Sequence, residues 1–181
     1  GLDLKTEQKE GLKVYASAQG YVSRIKISLW GYGKAIYITH PNGYTTVYAH
    51  LQKFNNRIEA YIKKQQYKIE SFEIQVFPFA NELPITENEI IAYSGSTGGF
   101  VGPHLHFEIR NTESEKPINP MLFGIEINDS KKPIINTLVG YSLNADSHIN
   151  NIAVPTQLSI VNLKNGELLA NKIRAFGKIG F

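Results

Sequence analysis

The side chains best suited to chemistry are histidines. His104 and His106 stand one residue apart in His104-Leu105-His106-Phe107-Glu108-Ile109. On an extended strand successive side chains point to opposite faces, so the two imidazoles share a face ~7 Å apart at the backbone, and Leu105, Phe107 and Ile109 turn to a core. Such a pair can converge on one metal ion, or on a metal and its bound water. It can equally be two surface histidines on an amphipathic strand. His50 ends a second strand-like run in which Thr46, Tyr48 and His50 would share a face; alone it reads as structural. Asp3 adds a carboxylate near the start, where an isolated aspartate reads as a solvated or capping residue. The chain has no cysteine among its 181 residues. That excludes a disulfide scaffold, a thiol nucleophile, an iron–sulfur cluster and a Cys-based zinc finger, so any metal must be held by His, Asp or Glu.

The elements that must position these groups are mostly strands. Short apolar or alternating runs predict strands at 12–16, 21–27, 35–39, 45–49, 72–77, 90–93 and 104–109. Asn42-Gly43 between two β-rich runs predicts a hairpin. At 55–69 the period changes: Ile58, Tyr61, Ile62 and Ile69 fall on one helical stripe, and Asn56 with Glu59 suggests a capping box. Ser94 to Gly99 is a Gly-rich loop that lacks the Lys-Ser/Thr and the helix of a phosphate loop, so it is expected to form one wall of a groove. Polar, Pro-bearing segments place a boundary near 125–132. Beyond it, 134–141, 157–163 and 168–176 read as strands of a partial, truncated β-sandwich-like domain.

Composition narrows the classes. With 42% hydrophobic and 19% charged residues the chain can bury a core. A net charge of +3 without a concentrated basic patch argues against nucleic-acid binding and would suit an anionic neighbour such as a cell wall. No apolar run reaches the ~18–20 residues of a membrane-spanning helix. The start at Gly1 without an initiator Met has the look of a trimmed or processed product.

Taken together, the segments resemble the lysostaphin/LytM-type zinc metallopeptidases of bacterial cell walls over about residues 1–124. The resemblance is carried by Gly1-Leu2-Asp3-Leu4, by Gly11, Val14, Ala16, Gly20 and Val22, by Gly31-Tyr32-Gly33, and by His40-Pro41-Asn42-Gly43-Tyr44 leading to Tyr48-Ala49-His50-Leu51. Gly95-Ser96-Thr97-Gly98 and, most specifically, Gly102-Pro103-His104-Leu105-His106-Phe107-Glu108 complete it. It implies a mainly β fold with an antiparallel-sheet peptidase core; in this chain the strand and helix patterns place an inserted helix in that core (insert about 53–86) and the linker and the β-sandwich-like segment after it at 125–181. It implies that Asp3 and His106 are zinc ligands and that His104 and His50 are the catalytic pair beside them. Glu108 is available to orient an imidazole, and His40 is expected to be structural. The implied reaction is hydrolysis of peptide bonds in peptidoglycan, in a cross-link or an interpeptide bridge, by zinc-activated water. The implied location is the cell envelope, periplasmic or extracellular, with an envelope protein as the candidate partner of the C-terminal part. The alternative is a catalytically degenerate relative that binds and activates another cell-wall hydrolase.

Two departures from the pattern stand out. The family's first ligand, a His four residues before the matched aspartate, would fall two residues upstream of Gly1, so the chain as given is expected to supply two protein ligands and to hold zinc weakly or not at all. The 53–86 segment replaces a shorter connection. It reads as a surface elaboration with its own small core or, more sharply, as a cap on the groove.

Overall fold

The computed structural model describes residues 1–99, 102–127, 134–162, 168–170 and 174–180. The chain divides into two compact units, Gly1–Ile127 and Asn128–Phe181. It is mainly β, with every strand pairing among the described residues antiparallel.

The first unit has two sheets. Its strands are β1 (Leu2–Lys5), β2 (Lys13–Tyr15), β3 (Gly20–Ile27), β4 (Lys34–Thr39), β5 (Tyr44–Ala49), β6 (Leu51–Phe54), β7 (Ile74–Val76), β8 (Pro84–Ile85), β9 (Ile90–Ser94), β10 (His104–Asn111) and β11 (Pro117–Ile118). The large sheet runs β1-β10-β5-β4-β3-β7, with β8 beside β3 and β11 beside β10; the small sheet runs β2-β9-β6. Alternation divides the large sheet's residues cleanly. Ile36, Ile38, Tyr48, Phe107 and Ile109 face the main core, where they meet Leu51, Phe54, Ile91 and Ala92 of the small sheet. The opposite face carries a second, smaller cluster of Ala35, Tyr37, Val47 and Ala49, with Tyr32 packed on it. This thin cluster floors a surface rather than a deep core. A bulge in β3 between Val22 and Arg24 lets Val22, Ile25 and Ile27 all reach the core. It also sends Arg24 onto the second face, opposite Tyr37.

The helical period is realised as α1 (Asn56–Ile69). Its cap lies one residue earlier than expected. Asn55 is extended, and its Oδ1 accepts from the Ile58 N–H at 2.9 Å. Glu59 Oε1 accepts from the Phe54 N–H at 3.0 Å, so the carboxylate reaches back past the cap instead of pairing with Asn56. The 53–86 segment has no core of its own, contrary to the expectation of a self-contained elaboration. Ile58 and Ile62 of α1, Ile74 of β7, Leu83 and Ile85 are all buried in the main core. The reason is edge pairing: β7 and β8 both hydrogen-bond to β3 and draw their side chains inward.

The second unit is built of short strands: β12 (Leu138–Ser142), β13 (His148–Ile149), β14 (Thr156–Leu158), β15 (Ile160–Asn162), β16 (Leu168–Ala170), β17 (Ala175–Phe176) and β18 (Ile179–Gly180). They pair as β14-β12-β18, β13-β17 and β15-β16, and Ile149 and Leu158 are buried. Most of the boundary expected at 125–132, with Leu163 and 171–173 of the predicted strands, lies outside the described residues. No helix among the described residues is long and apolar enough to cross a membrane.

Candidate active site

At one end of the second face of the large sheet, the four singled-out side chains meet. β1 pairs with β10 so that Asp3 lies directly opposite His106, and Asp3 Oδ1 is 2.7 Å from His106 Nδ1. Alternation along β10 puts His104, His106, Glu108 and Arg110 on this face, away from the core residues Phe107 and Ile109. The His104 and His50 rings lie 4.6 Å apart between centroids, and His50 and His106 5.9 Å.

His50 reaches this place by breaking the strand rule. Simple alternation groups it with Thr46 and Tyr48, but Tyr48 packs in the main core. His50 has a left-handed backbone, φ 58°, which turns its side chain towards the two histidines of β10. The conformation is held from both sides. The His50 N–H donates to Tyr32 O at 3.0 Å, and the ring Nδ1 donates to Thr97 O at 2.8 Å. The Gly-rich loop therefore grips a catalytic candidate. Thr97 Oγ1 in turn donates to Leu51 O and accepts from the Lys34 N–H, both at 2.9 Å. The loop can approach only because Gly33 and Gly98 lack side chains. A Cβ on Gly98 would stand 2.2 Å from Gly31 O, and one on Gly33 2.3 Å from the Thr97 carbonyl carbon.

Hydrogen bonds set the imidazole tautomers, because a carbonyl or carboxylate can only accept. His50 presents Nδ1–H to Thr97 O, and His104 presents Nδ1–H to Gly102 O at 3.1 Å. In each neutral ring Nε2 is then the basic nitrogen. His104 Nε2 lies 3.9 Å from Asp3 Oδ1. Burial pushes the His50 pKa down, partly offset by the bond to Thr97, so its neutral form prevails at neutral pH. His106 is the reverse. Its Nε2 donates to Glu108 Oε1 at 2.8 Å, which leaves Nδ1 pointing at Asp3. Nδ1 and Asp3 Oδ1 thus face each other directly. The bond to Glu108 accordingly holds the His106 pKa up despite the opposing effect of burial.

Glu108 is the anchor. It is buried and accepts from His106, from Arg110 Nε at 2.6 Å and from the Tyr32 hydroxyl. Burial alone would raise its pKa; these three donors overcome it and hold the carboxyl well below the usual range. Burial, with the Glu108 bond second, pushes the Tyr32 hydroxyl up to about 12, so it stays a donor. Tyr32 also packs on His106 at 5.0 Å between centroids. Tyr32 and Arg110 were not singled out for a role from the sequence. The Gly31-Tyr32-Gly33 pattern and the strand position of Arg110 were the available signals, but the pattern does not show that Tyr32 meets a partner 76 residues away in the chain, nor does the strand position show that Arg110 bonds Glu108, two residues back on the same face. His40 is buried away from this site, between Gln19 O and Thr46 Oγ1, both at 2.8 Å.

Asp3 Oδ1 and His106 Nδ1 converge as oxygen and nitrogen donors of the types zinc takes, and Glu108 gives the histidine the outer partner such ligands carry. They fit a zinc ion as a pair. Among the described residues no group of three or more His, Asp or Glu side chains is arranged to hold a metal.

The antiparallel sheet thus presents an Asp, a His-x-His pair and a third His on one face. Residues 1–67 match peptidase family M23. A DD-carboxypeptidase/endopeptidase Mpg of Neisseria meningitidis serogroup B is 34% identical over 121 residues, 67% of this chain and 21% of that protein. An uncharacterized metalloprotease of Haemophilus influenzae is 30% identical over 125 residues, 68% of this chain and 21% of that protein. The catalytic domain of lysostaphin from Staphylococcus simulans is 26% identical, with a TM-score of 0.45 over 64% of this chain and 71% of that one. The chain belongs to the M23 family of lysostaphin/LytM-type peptidoglycan endopeptidases. It spans about a fifth of the length of the curated relatives it matches.

Proposed function

We propose that this chain carries the active site of a zinc-dependent endopeptidase that hydrolyses peptide bonds of bacterial peptidoglycan in the cell envelope. The observation that carries the reading is the convergence of His50, His104, His106 and Asp3 at one end of an open sheet face, with His106 fixed from behind by Glu108.

Asp3 Oδ1 and His106 Nδ1 are the two atoms that would hold the metal. A zinc ion held there would supply Lewis acidity, making water more acidic and polarising the scissile carbonyl. Glu108 keeps the His106 Nε2 proton, so Nδ1 stays the ligand nitrogen and the ring cannot rotate. His104 and His50 handle protons. With each Nδ1–H committed to a backbone carbonyl, Nε2 of either ring can take the proton of the attacking water and return it to the leaving amine. The second imidazole, once protonated, stabilises negative charge on the scissile oxygen. The low pKa of His50 and its place beside His104 let the two rings divide these roles without a glutamate base.

The test is release of soluble peptides from purified cell wall with added zinc. His104→Ala is expected to lower the rate by about 10²–10⁴-fold, the usual contribution of acid–base catalysis, with an unchanged thermal melt. Equal release by both forms would sink the assignment. Binding to cell wall without cleavage would instead favour the reading as an activator of another hydrolase.

A further inference from the structure

The face that bears the catalytic candidates does not end with them. At its other end β3, β4, β5 and β10 enclose a cavity of about 230 Å³. Its floor is the buried ring of Tyr37. The Arg24 guanidinium lies 3.7 Å from that ring's centroid and the Arg110 guanidinium 5.8 Å. The bulge in β3 is what aims Arg24 here. Both arginine side chains are largely covered, 19% and 17% exposed. Thr39 and Thr45 form one wall, bonded hydroxyl to hydroxyl at 3.0 Å, and Phe77, from the segment that follows Val76, lies at the rim.

A carboxylate already occupies the mouth. Glu115 Oε2 is 3.2 Å from Arg24 Nη2 and 3.9 Å from Arg110 Nη1. Glu115 comes from a surface turn, is 60% exposed and has a left-handed backbone, φ 54°. Its hold is weak by position: an exposed turn side chain is easily displaced. Arg110 also bonds buried Glu108 through Nε, which fixes its fork in place. The other guanidinium N–H groups of the pair have no hydrogen-bond partner among the described residues.

We propose that this cavity is a carboxylate subsite for the peptide substrate, with Glu115 as a placeholder that a substrate carboxylate displaces. The proposal rests on the peptidase reading above. Two pre-positioned guanidinium groups stacked on an aromatic floor are the chemistry that takes a planar carboxylate. The volume is ample for one chain terminus or one short acidic side chain. Position fits as well. His106 and Arg110 are four residues apart on one strand face, ~13 Å at ~3.3 Å per residue, so an extended peptide lying across the face reaches from the histidines to the cavity in about four residues. The subsite would therefore select peptides that end, or carry a free acid, at that distance from the cut bond.

The experiment measures binding, not turnover. A D-alanyl-D-alanine-ended stem pentapeptide, as free acid and as C-terminal amide, is titrated calorimetrically into the His104→Ala protein. Added substitutions are Arg24→Gln, Arg24→Lys and Glu115→Gln. The free acid is expected to bind about tenfold tighter than the amide, in line with one charge-assisted bond to a guanidinium. Arg24→Gln is expected to erase the preference, Arg24→Lys to keep part of it, and Glu115→Gln to strengthen acid binding alone. Glu115 sits on an exposed turn, so that variant reports even if Arg24→Gln misfolds. Equal affinity for acid and amide, including no measurable affinity for either, overturns the subsite, as does a preference that survives in folded Arg24→Gln. Cell-wall hydrolysis that is unchanged by His104→Ala, with an intact acid preference, would instead overturn the peptidase reading and leave the subsite standing.

Discussion

At the scale of single residues, the site is organised by one buried carboxylate, that of Glu108. Glu108 gathers three donors, from His106, Arg110 and Tyr32, inside a buried position. A buried carboxylate left unpaired would be costly; three donors make it the fixed point against which the imidazole is aimed. Glu108→Ala strips those donors of their acceptor. It is expected to cost about 3 kcal/mol of stability, the range for breaking a buried pair by removing one partner, read by urea unfolding. A cost below that of an ordinary surface substitution would show that Glu108 anchors nothing. The roles of Asp3, His50, His104 and His106 were readable as candidates because residue type and spacing limit what can bind a metal. The mutual geometry was not. His50 in particular joins the group through a left-handed backbone, a feature that period-2 reasoning predicts the wrong way round.

At the scale of elements, two devices position the site: the β1–β10 pairing, which sets Asp3 against His106, and the Gly-rich loop, which holds His50 through Thr97. The loop's approach depends on bare backbone. Gly98→Ala would drive a Cβ into Gly31 O at 2.2 Å and at φ 92°, so a loss of about 1–3 kcal/mol is expected, together with loss of hydrolysis as His50 is released. Gly43, at φ 82° in the β4–β5 turn, has open space around its Cβ position. Gly43→Ala should therefore cost only backbone strain of about 1–2 kcal/mol and leave hydrolysis intact. Equal effects on hydrolysis from the two substitutions would refute the role given to the loop. The strands, the hairpin and the helix were legible from periodicity. The cap shifted by one residue because Asn55 and Asn56 carry the same side chain, and only backbone direction distinguishes them.

At the scale of the whole molecule, the first unit has one main core, and the 53–86 segment belongs to it. Ile58 and Ile62 are fully buried there beside Phe54 and Ile91. Ile58→Ala should cost about 2–5 kcal/mol, as for any fully buried aliphatic cut back to a methyl. Removal of 55–82 should unfold the unit instead of only opening a groove. A deletion protein with a native thermal melt would restore the picture of a detachable elaboration. The second unit is described only by its own short strands, and its role stays with the expectation of an envelope partner. Taken by itself, the sequence determined the chemistry available: no thiols, a His-x-His on an amphipathic strand, alternating runs that must make sheets, and motifs in the order of a known peptidase family. These are local properties, set by side-chain type and by the period of the backbone. Tertiary structure alone decided which end of which face those groups share, that Tyr32 and Arg110 brace them, and that Arg24 and Arg110 form a second charged cavity on the same face. Those contacts join residues up to about a hundred positions apart. They depend on strand register, a bulge and a left-handed turn, none of which has a sequence period to reveal it.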